Sequence, residues 1–474
     1  MKTLNRIQDW ATTTPDRIAY YNSNRAVSYG ELWSGAKRLA AALSRFSVNS
    51  VVLFGGKEPE LLVGMLGCLL AGKTYVPISN SVPTERFQMI LRALGTSLVL
   101  NGNTDCLSTG GIPISKLLLE AAEVIDVPIN TDLPAYIIFT SGSTGTPKGV
   151  PISRNNLDNF TSWISQLEAL RLSVPSRVLN QASFSFDLSI ADIFYSLCNG
   201  HTLYGMPSGL PGTPDAFILF LQENFIQAIV CTPTFLKLCL IDQSFSERQL
   251  PDLRVIYSCG EILENATAYK LLQRFRNLRL LNAYGPSEAT SAVCAAEITR
   301  EMAASDQSLP VGIPDRAACK IEIQDGEIVL KGDSVFSGYL DGSCGGYFCE
   351  NGVPCFRTGD LGEIIGNYLY FRGREDRQIK WKGYRIELDE IEQAIQSFPV
   401  IANCAVIAKK TDKGIVRLIK AFIVPSANFS LNPMIESLKE KLPAYMIPKS
   451  FVLLDQLPLT ESGKINRRKL EDHC

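Results

Sequence analysis

Apolar and polar positions alternate along this chain in a repeating order of short apolar runs and helical spacings. Residues 4–46 read as helices around a short hairpin, with Ala19-Tyr20-Tyr21 and Ala26-Val27-Ser28-Tyr29 flanking the turn Asn22-Ser23-Asn24. From Tyr29 to Ser44 apolar residues recur at helical intervals (Leu32, Leu39, Leu43). Val51–Phe54 reads as a buried strand, Leu61–Ala71 as an apolar helix stopped by Gly72, and Thr74–Ile78 as the next strand. A further buried strand, Tyr136–Phe139, precedes a helix over 153–170 with Ser153 as its N-cap. Ala228–Cys231, Val255–Ser258 and Leu278–Asn282 are more strands, each running into a Gly- or Pro-bearing polar turn. Strands alternating with helices predict an α/β fold, a large N-terminal domain of parallel sheets covered by helices. In such sheets ligands sit beyond the carboxyl ends of the strands, so these turns are where a site belongs.

The rhythm changes twice more. Between Ala318 and Tyr370 short alternating strands with frequent glycine predict a small antiparallel subdomain or barrel. Residues 371–377 are charged and glycine-containing, as a linker is. Beyond them, helical patterns at Leu388–Ser397 and Met434–Lys441 and strands at Cys404–Ala408, Arg417–Val424 and Ser450–Leu454 predict a separate small α+β domain. The division expected is 1–375 and 376–474, and a chain of 474 residues exceeds what one core serves.

Composition adds limits. A net charge of −2 makes no general case for nucleic acid. From Arg377 onward there are 16 Lys and Arg against 11 Asp and Glu, and 30 against 37 in the remainder. A basic small domain on an acidic body suits an acidic partner or a plain solvated face. The 13 cysteines follow no disulfide spacing, and Cys68, Cys198, Cys231, Cys239 and Cys404 stand singly in apolar runs as small core residues. Cys344, Cys349 and Cys355 lack CxxC pairs, which argues against zinc. Reduced thiols, no apolar leader and no apolar run of membrane length make a cytoplasmic protein with no membrane span the expectation.

The chemistry concentrates in Thr140-Ser141-Gly142-Ser143-Thr144-Gly145-Thr146-Pro147-Lys148. Gly142 and Gly145 allow φ > 0 and close approach of backbone N–H groups; hydroxyls and Lys148 add donors and a charge. Donors without carboxylates suit a polyphosphate, although a flexible surface turn also favours Gly and Ser. The spacing is not that of the Walker A loop. Asp187, in the apolar stretch FSFDLSIADIF, must be solvated, paired or kept for a ligand, or else caps the helix it precedes.

Seven segments in order, AGKTYVPI (71–78), YIIFTSGSTGTPKGV (136–150), FSFDLSIADIF (184–194), NAYGPSEAT (282–290), RTGD (357–360), GREDRQIKWKGYRIELDEIE (373–392) and LTESGKINRRKL (459–470), resemble the adenylate-forming enzymes. The resemblance spans essentially the whole chain. It implies that ATP and a carboxylic acid give an acyl-adenylate, whose acyl group then passes to a thiol. The substrate carboxylate itself attacks, so catalysis is positioning and charge stabilisation; only two histidines, His201 and His473, stand in the chain, and neither lies in these segments. The resemblance assigns the 140–148 loop, with Thr140, Ser141, Gly142, Ser143, Thr144 and Lys148, to the β/γ-phosphates. It has Tyr284 stack on adenine beside Asn282, Ala283 and Gly285. Ser287 keeps the hydroxyl that many relatives carry on Thr, and Glu288 holds Mg²⁺. Asp360 accepts the ribose hydroxyls with help from Arg374. Lys464, otherwise a plain surface lysine, reaches the α-phosphate and substrate carboxylate, and Asp376 is the hinge of a mobile C-terminal domain. Lys464, Glu288 and Thr140 are the expected catalytic residues.

Asp187 matches the residue that binds the α-ammonium in peptide-synthetase adenylation domains, which implies a small amino-acid substrate. The pocket would be completed by Leu188, Ala191, Val230, Tyr257, Cys259, Ala283, Ser291 and Ala292. FDLSIADIF, SCGE and YGPSEATSAV most resemble the D-alanine–carrier protein ligases, where a Cys before Gly-Glu narrows the pocket. Ala191, Ser291 and KWKGYR (380–385) depart from that group, so alanine of either hand, glycine and serine stay open, as does the pathway served. The chain ends ten residues after Lys464, so the expected acceptor is the phosphopantetheine thiol of a separate carrier protein. The alternative is an acyl-CoA synthetase for a small carboxylic acid, which needs no Asp187.

Overall fold

The computed structural model describes all residues except 23–24, 97, 103–109, 121–132, 143–144, 208, 210–213, 413, 427–428, 461–463 and 472–474. By internal contacts the chain divides into two units. One comprises 1–80, 96–138 and 150–372; the other comprises 81–95, 139–149 and 373–474. Two short early segments therefore group with the C-terminal part, a long-range pairing that local patterning does not carry.

The first unit is built on sheets covered by helices. In the largest, the parallel strands Arg279–Tyr284, Val255–Cys259, Ala228–Cys231, Arg177–Asn180, Thr202–Gly205 and Ile18–Asn22 lie side by side. Antiparallel strands Cys294–Glu297 and Arg25–Ser28 close its two edges. A second sheet runs in the order Ile112–Pro113, Val99–Asn101, Ser50–Gly55, Thr74–Ser79, Tyr136–Thr140, Lys148–Ile152. The helix Pro59–Leu70 is buried on nearly every side, which its continuous apolar sequence anticipates. Ser28 and Ser153 close full capping boxes on the helices Tyr29–Leu43 and Arg154–Gln166, so the expected cap at Ser153 is present. The expected antiparallel region is a five-stranded sheet whose longest member is Val353–Ile365. The segment read as a linker is instead strand as far as Arg374, since Tyr368–Arg374 pairs with Val353–Ile365. Its alternating small and charged residues hid that continuity.

In the second unit the hairpin Ile401–Lys410/Val416–Pro425 carries Ser450–Leu453 in parallel on its edge, with the helices Leu388–Gln396 and Leu431–Lys441. Ile391, Ile395, Val406, Ile419, Ile423, Met434 and Leu438 form its core. The helix Thr84–Leu94 packs on Leu431–Lys441.

Candidate active site

The parallel strands of the large sheet deliver the first group of predicted residues at their carboxyl ends. Register pairs Val230 with Tyr257 and Cys259 with Ala283, and the two-residue strand period puts Tyr257 and Cys259 on one face. That face shares its core with Leu188 and Ala191 of the helix Leu188–Cys198. The pocket residues expected from sequence are thus brought to one layer. Ser291 and Ala292 follow on the turn after Ala289, where Thr290 (φ 63°) and Ser291 (φ 72°) are consecutive left-handed residues, a strained conformation for non-glycine side chains. The Ser291 hydroxyl and the Tyr257 phenol are buried with no hydrogen-bond partner.

Three carboxylates converge on this turn or its neighbours. Asp187 stands at the N-cap position of Leu188–Cys198, but its side chain makes no capping bond; the Ser287 hydroxyl donates to its Oδ2 instead. The cap reading of Asp187 is therefore set aside. Glu288, fully buried, accepts from the Tyr339 hydroxyl. Asp360, also buried, accepts from the Tyr284 hydroxyl at 2.7 Å. Burial and the adjacent Asp360 charge push the Tyr284 phenol well above its ordinary range, so it stays a donor at neutral pH. Asn282 donates to the Pro310 carbonyl at 2.8 Å, while its buried Oδ1 has no partner. Gly285 is glycine because a Cβ there would lie 2.4 Å from the Ala292 Cα.

The remaining predicted residues belong to the second unit. Thr140 ends the strand Tyr136–Thr140, and Lys148 begins Lys148–Ile152. Ser143 and Thr144 lie outside the described residues. Only Gly145 of the loop's first two glycines has positive φ (74°). Gly142 is required for a different reason: a Cβ there would meet the Thr146 carbonyl oxygen at 2.0 Å. The loop donors have protein partners in this structure. Ser141 Oγ donates to the Arg385 carbonyl at 2.8 Å and accepts from the Glu387 N–H at 3.1 Å. The Gly142 N–H donates to Glu390 Oε2 at 3.0 Å. An N–H read as an anion seat thus holds an anion, a carboxylate of its own chain, and Glu390 is in turn paired with buried Arg86. Arg374 forms a two-pronged pair with Asp376 (2.7 and 2.6 Å), so the expected ribose helper and the expected hinge hold one another. Lys464 is exposed, its carbonyl accepting from the Thr460 N–H at 2.7 Å.

Sequence reasoning missed Tyr339, Arg86 and Glu390, and did not single out Lys57 or Asp192. Asp192 alone carried a signal, as a second carboxylate in the stretch that holds Asp187. Glu390 is one acidic residue among several in the segment 373–392, and Tyr339, Arg86 and Lys57 are single polar residues outside the segments singled out above.

Comparison with known proteins matches residues 7–340 to the AMP-binding enzyme family and 390–464 to the AMP-binding enzyme C-terminal domain. A D-alanine–D-alanyl carrier protein ligase of Bacillus licheniformis is 37% identical, covering 100% of this chain and 99% of its own. One of Listeria monocytogenes is 37% identical, with 98% of each chain covered. Among solved structures, the Vibrio cholerae adenylation domain AlmE in complex with glycyl-adenosine-5'-phosphate superposes with a TM-score of 0.85 at 24% identity, over 100% of this chain and 96% of its own. PA1221, a peptide-synthetase protein containing adenylation and PCP domains, also gives 0.85, at 25% identity over 99% and 83%. No helix among the described residues is long and apolar enough to cross a membrane. The chain belongs to the AMP-binding enzymes, and it is an AMP-forming ligase.

Proposed function

We propose that this ligase activates a small amino acid, alanine-like and with D-alanine favoured, as its aminoacyl-adenylate and transfers it to the phosphopantetheine thiol of a separate carrier protein. The observation that carries this is the end-to-end identity of 37% with D-alanine–D-alanyl carrier protein ligases. Asp187 gives that likeness its chemistry, because a partly buried carboxylate at the head of a helix suits an α-ammonium and has no use with a plain carboxylic acid.

In the reaction proposed, a substrate carboxylate oxygen bonds to the α-phosphorus of ATP, the bond from that phosphorus to the bridging oxygen breaks, and pyrophosphate leaves. No side chain need act as nucleophile. Tyr284 stacks on the base, and the orphaned Asn282 Oδ1 fits the adenine amino group as acceptor. Ala283 and Gly285 line that pocket. Asp360, assisted by Arg374, accepts the ribose hydroxyls. Thr140, Ser141, Gly142, Ser143, Thr144 and Lys148 hold the departing phosphates once Glu390 has yielded the Gly142 N–H. Lys464 supplies the charge at the α-phosphate and substrate carboxylate. Glu288 fits Mg²⁺, which takes one or two carboxylates with phosphate and water oxygens and when bound neutralises phosphate charge. Leu188, Ala191, Val230, Tyr257, Cys259, Ala283, Ser291 and Ala292 bound the amino-acid side chain. Residues 1–375 act as the adenylating core and 376–474 as a small domain turning about Asp376 between the two half-reactions, with its basic surface meeting the carrier. Reduced thiols suit work in the cytoplasm.

The test is amino-acid-dependent ATP–pyrophosphate exchange across small D- and L-amino acids. Exchange strongest with D-alanine is expected. No exchange with any amino acid, alongside clear exchange with plain carboxylic acids, would overturn the reading.

A further inference from the structure

The strand Arg177–Asn180 leads through residues 181–187 into the helix Leu188–Cys198, and this turn ends at Asp187. Side chains join backbone N–H groups in holding its carbonyls. The Lys57 ammonium donates to the Asn180 and Gln181 carbonyls at 2.7 and 2.9 Å. The Asn180 amide donates to the Ala182 carbonyl at 3.1 Å and to both oxygens of Asp192, at 3.1 and 2.9 Å. Ser189 Oγ reaches the Phe186 carbonyl at 2.8 Å and that of Phe184 at 3.3 Å. Asn180 and Asp192 are fully buried. Burial draws the Lys57 ammonium below its ordinary value and raises the Asp192 carboxyl well above its own, each opposed by the other's charge. Taking two ionisable groups out of water is costly, and apolar packing of the same turn would avoid that cost.

We infer that Lys57 and Asp192 are positioning residues for Asp187: through Asn180 they fix the turn that aims its carboxylate at the substrate ammonium. This rests on the amino-acid reading above. Hydrogen bonds on five successive or near-successive carbonyls leave the turn one conformation, and a carboxylate displaced by an ångström loses much of a charged contact.

The experiment compares alanine with propionate, its counterpart lacking the amine, in ATP–pyrophosphate exchange by the full chain. In Asp192→Asn, which keeps shape and removes charge, the ratio of kcat/KM for alanine to that for propionate is expected to fall about tenfold. The loss should appear in the KM for alanine, with the KM for ATP held within about twofold. A purely structural role lowers both acids together, and an unchanged ratio overturns the inference. Lys57→Met, which removes only the ammonium, is read in the same way should Asp192→Asn not fold. If neither folds, the network is structural and the inference fails. Wild-type protein without preference for alanine over propionate removes the amino-acid reading, and this inference with it.

Discussion

Three carboxylates of the larger unit and two of the second are held in different ways. In the larger one Asp187, Glu288 and Asp360 accept from the hydroxyls of Ser287, Tyr339 and Tyr284. In the second, Glu390 is paired with Arg86, and Glu392 with both Arg377 and Arg467. A hydroxyl orients a carboxylate and leaves the net charge of the pair at minus one. A guanidinium orients it and cancels that charge. The second arrangement suits a carboxylate that holds chain segments together.

The contrast breaks first at Arg86. Arg86→Leu leaves Glu390 buried without its cation and is expected to cost about 3–5 kcal/mol in urea unfolding. A loss below about 1 kcal/mol would make this pair no more structural than a surface one. Next comes Lys464, which is exposed and serves no packing. Lys464→Ala should lower exchange about 10²- to 10³-fold while the unfolding midpoint stays put. Retained exchange would remove it from the reaction.

His201 sharpens the comparison as a buried ionisable group that stays neutral. Burial pulls its imidazole down to about 4, and its Nδ1 accepts from the Ser176 N–H at 3.2 Å. The unfolded chain takes up the proton near 6.5 and the folded one does not until about 4. Stability is therefore complete above pH 6.5 and declines as pH falls toward 4, by about 3 kcal/mol at the limit. Unfolding at pH 7.5 and at pH 5 measures the decline, and His201→Gln should flatten it. The smallest effect is expected at Ser287→Ala, about 1 kcal/mol of stability, with its larger consequence in the KM for the amino acid. Equal losses in stability and in KM would place Ser287 with the structural class.

Much of this was legible in the chain itself, for physical reasons. The strands at Val51, Thr74, Ala228 and Val255 are fully buried in parallel sheets, so their apolar runs are uninterrupted and easy to see. The turn residues around Tyr284 and Asp360 declare themselves through glycine, proline and clustered hydroxyls. Glu390 did not, because an acidic residue in the first turn of a helix reads as a favourable partner of the helix dipole. Arg86 lies some 300 residues away from it, on a helix whose pattern says only that one face is buried. Gly142 was read for its torsional freedom, whereas its backbone is ordinary and the constraint is a neighbouring carbonyl. Local sequence reports what a residue allows; which permission is used depends on what arrives from afar.

The grouping of residues 81–95 and 139–149 with 373–474 bears on how this protein can be taken apart. A truncation after Arg372 looks like a clean excision of the small C-terminal part. It would instead strip the helix Thr84–Leu94, with its buried Phe87 and Ile90, of the helix Leu431–Lys441 that packs on it, leave the Arg86 guanidinium without its carboxylate, and return Ser141 and Gly142 to solvent. The shortened protein would carry a fresh apolar stripe and a loop with unmet donors, a recipe for self-association. Expression of the larger portion alone therefore calls for Phe87 and Ile90 to be made polar, and crystallisation efforts should keep the chain whole.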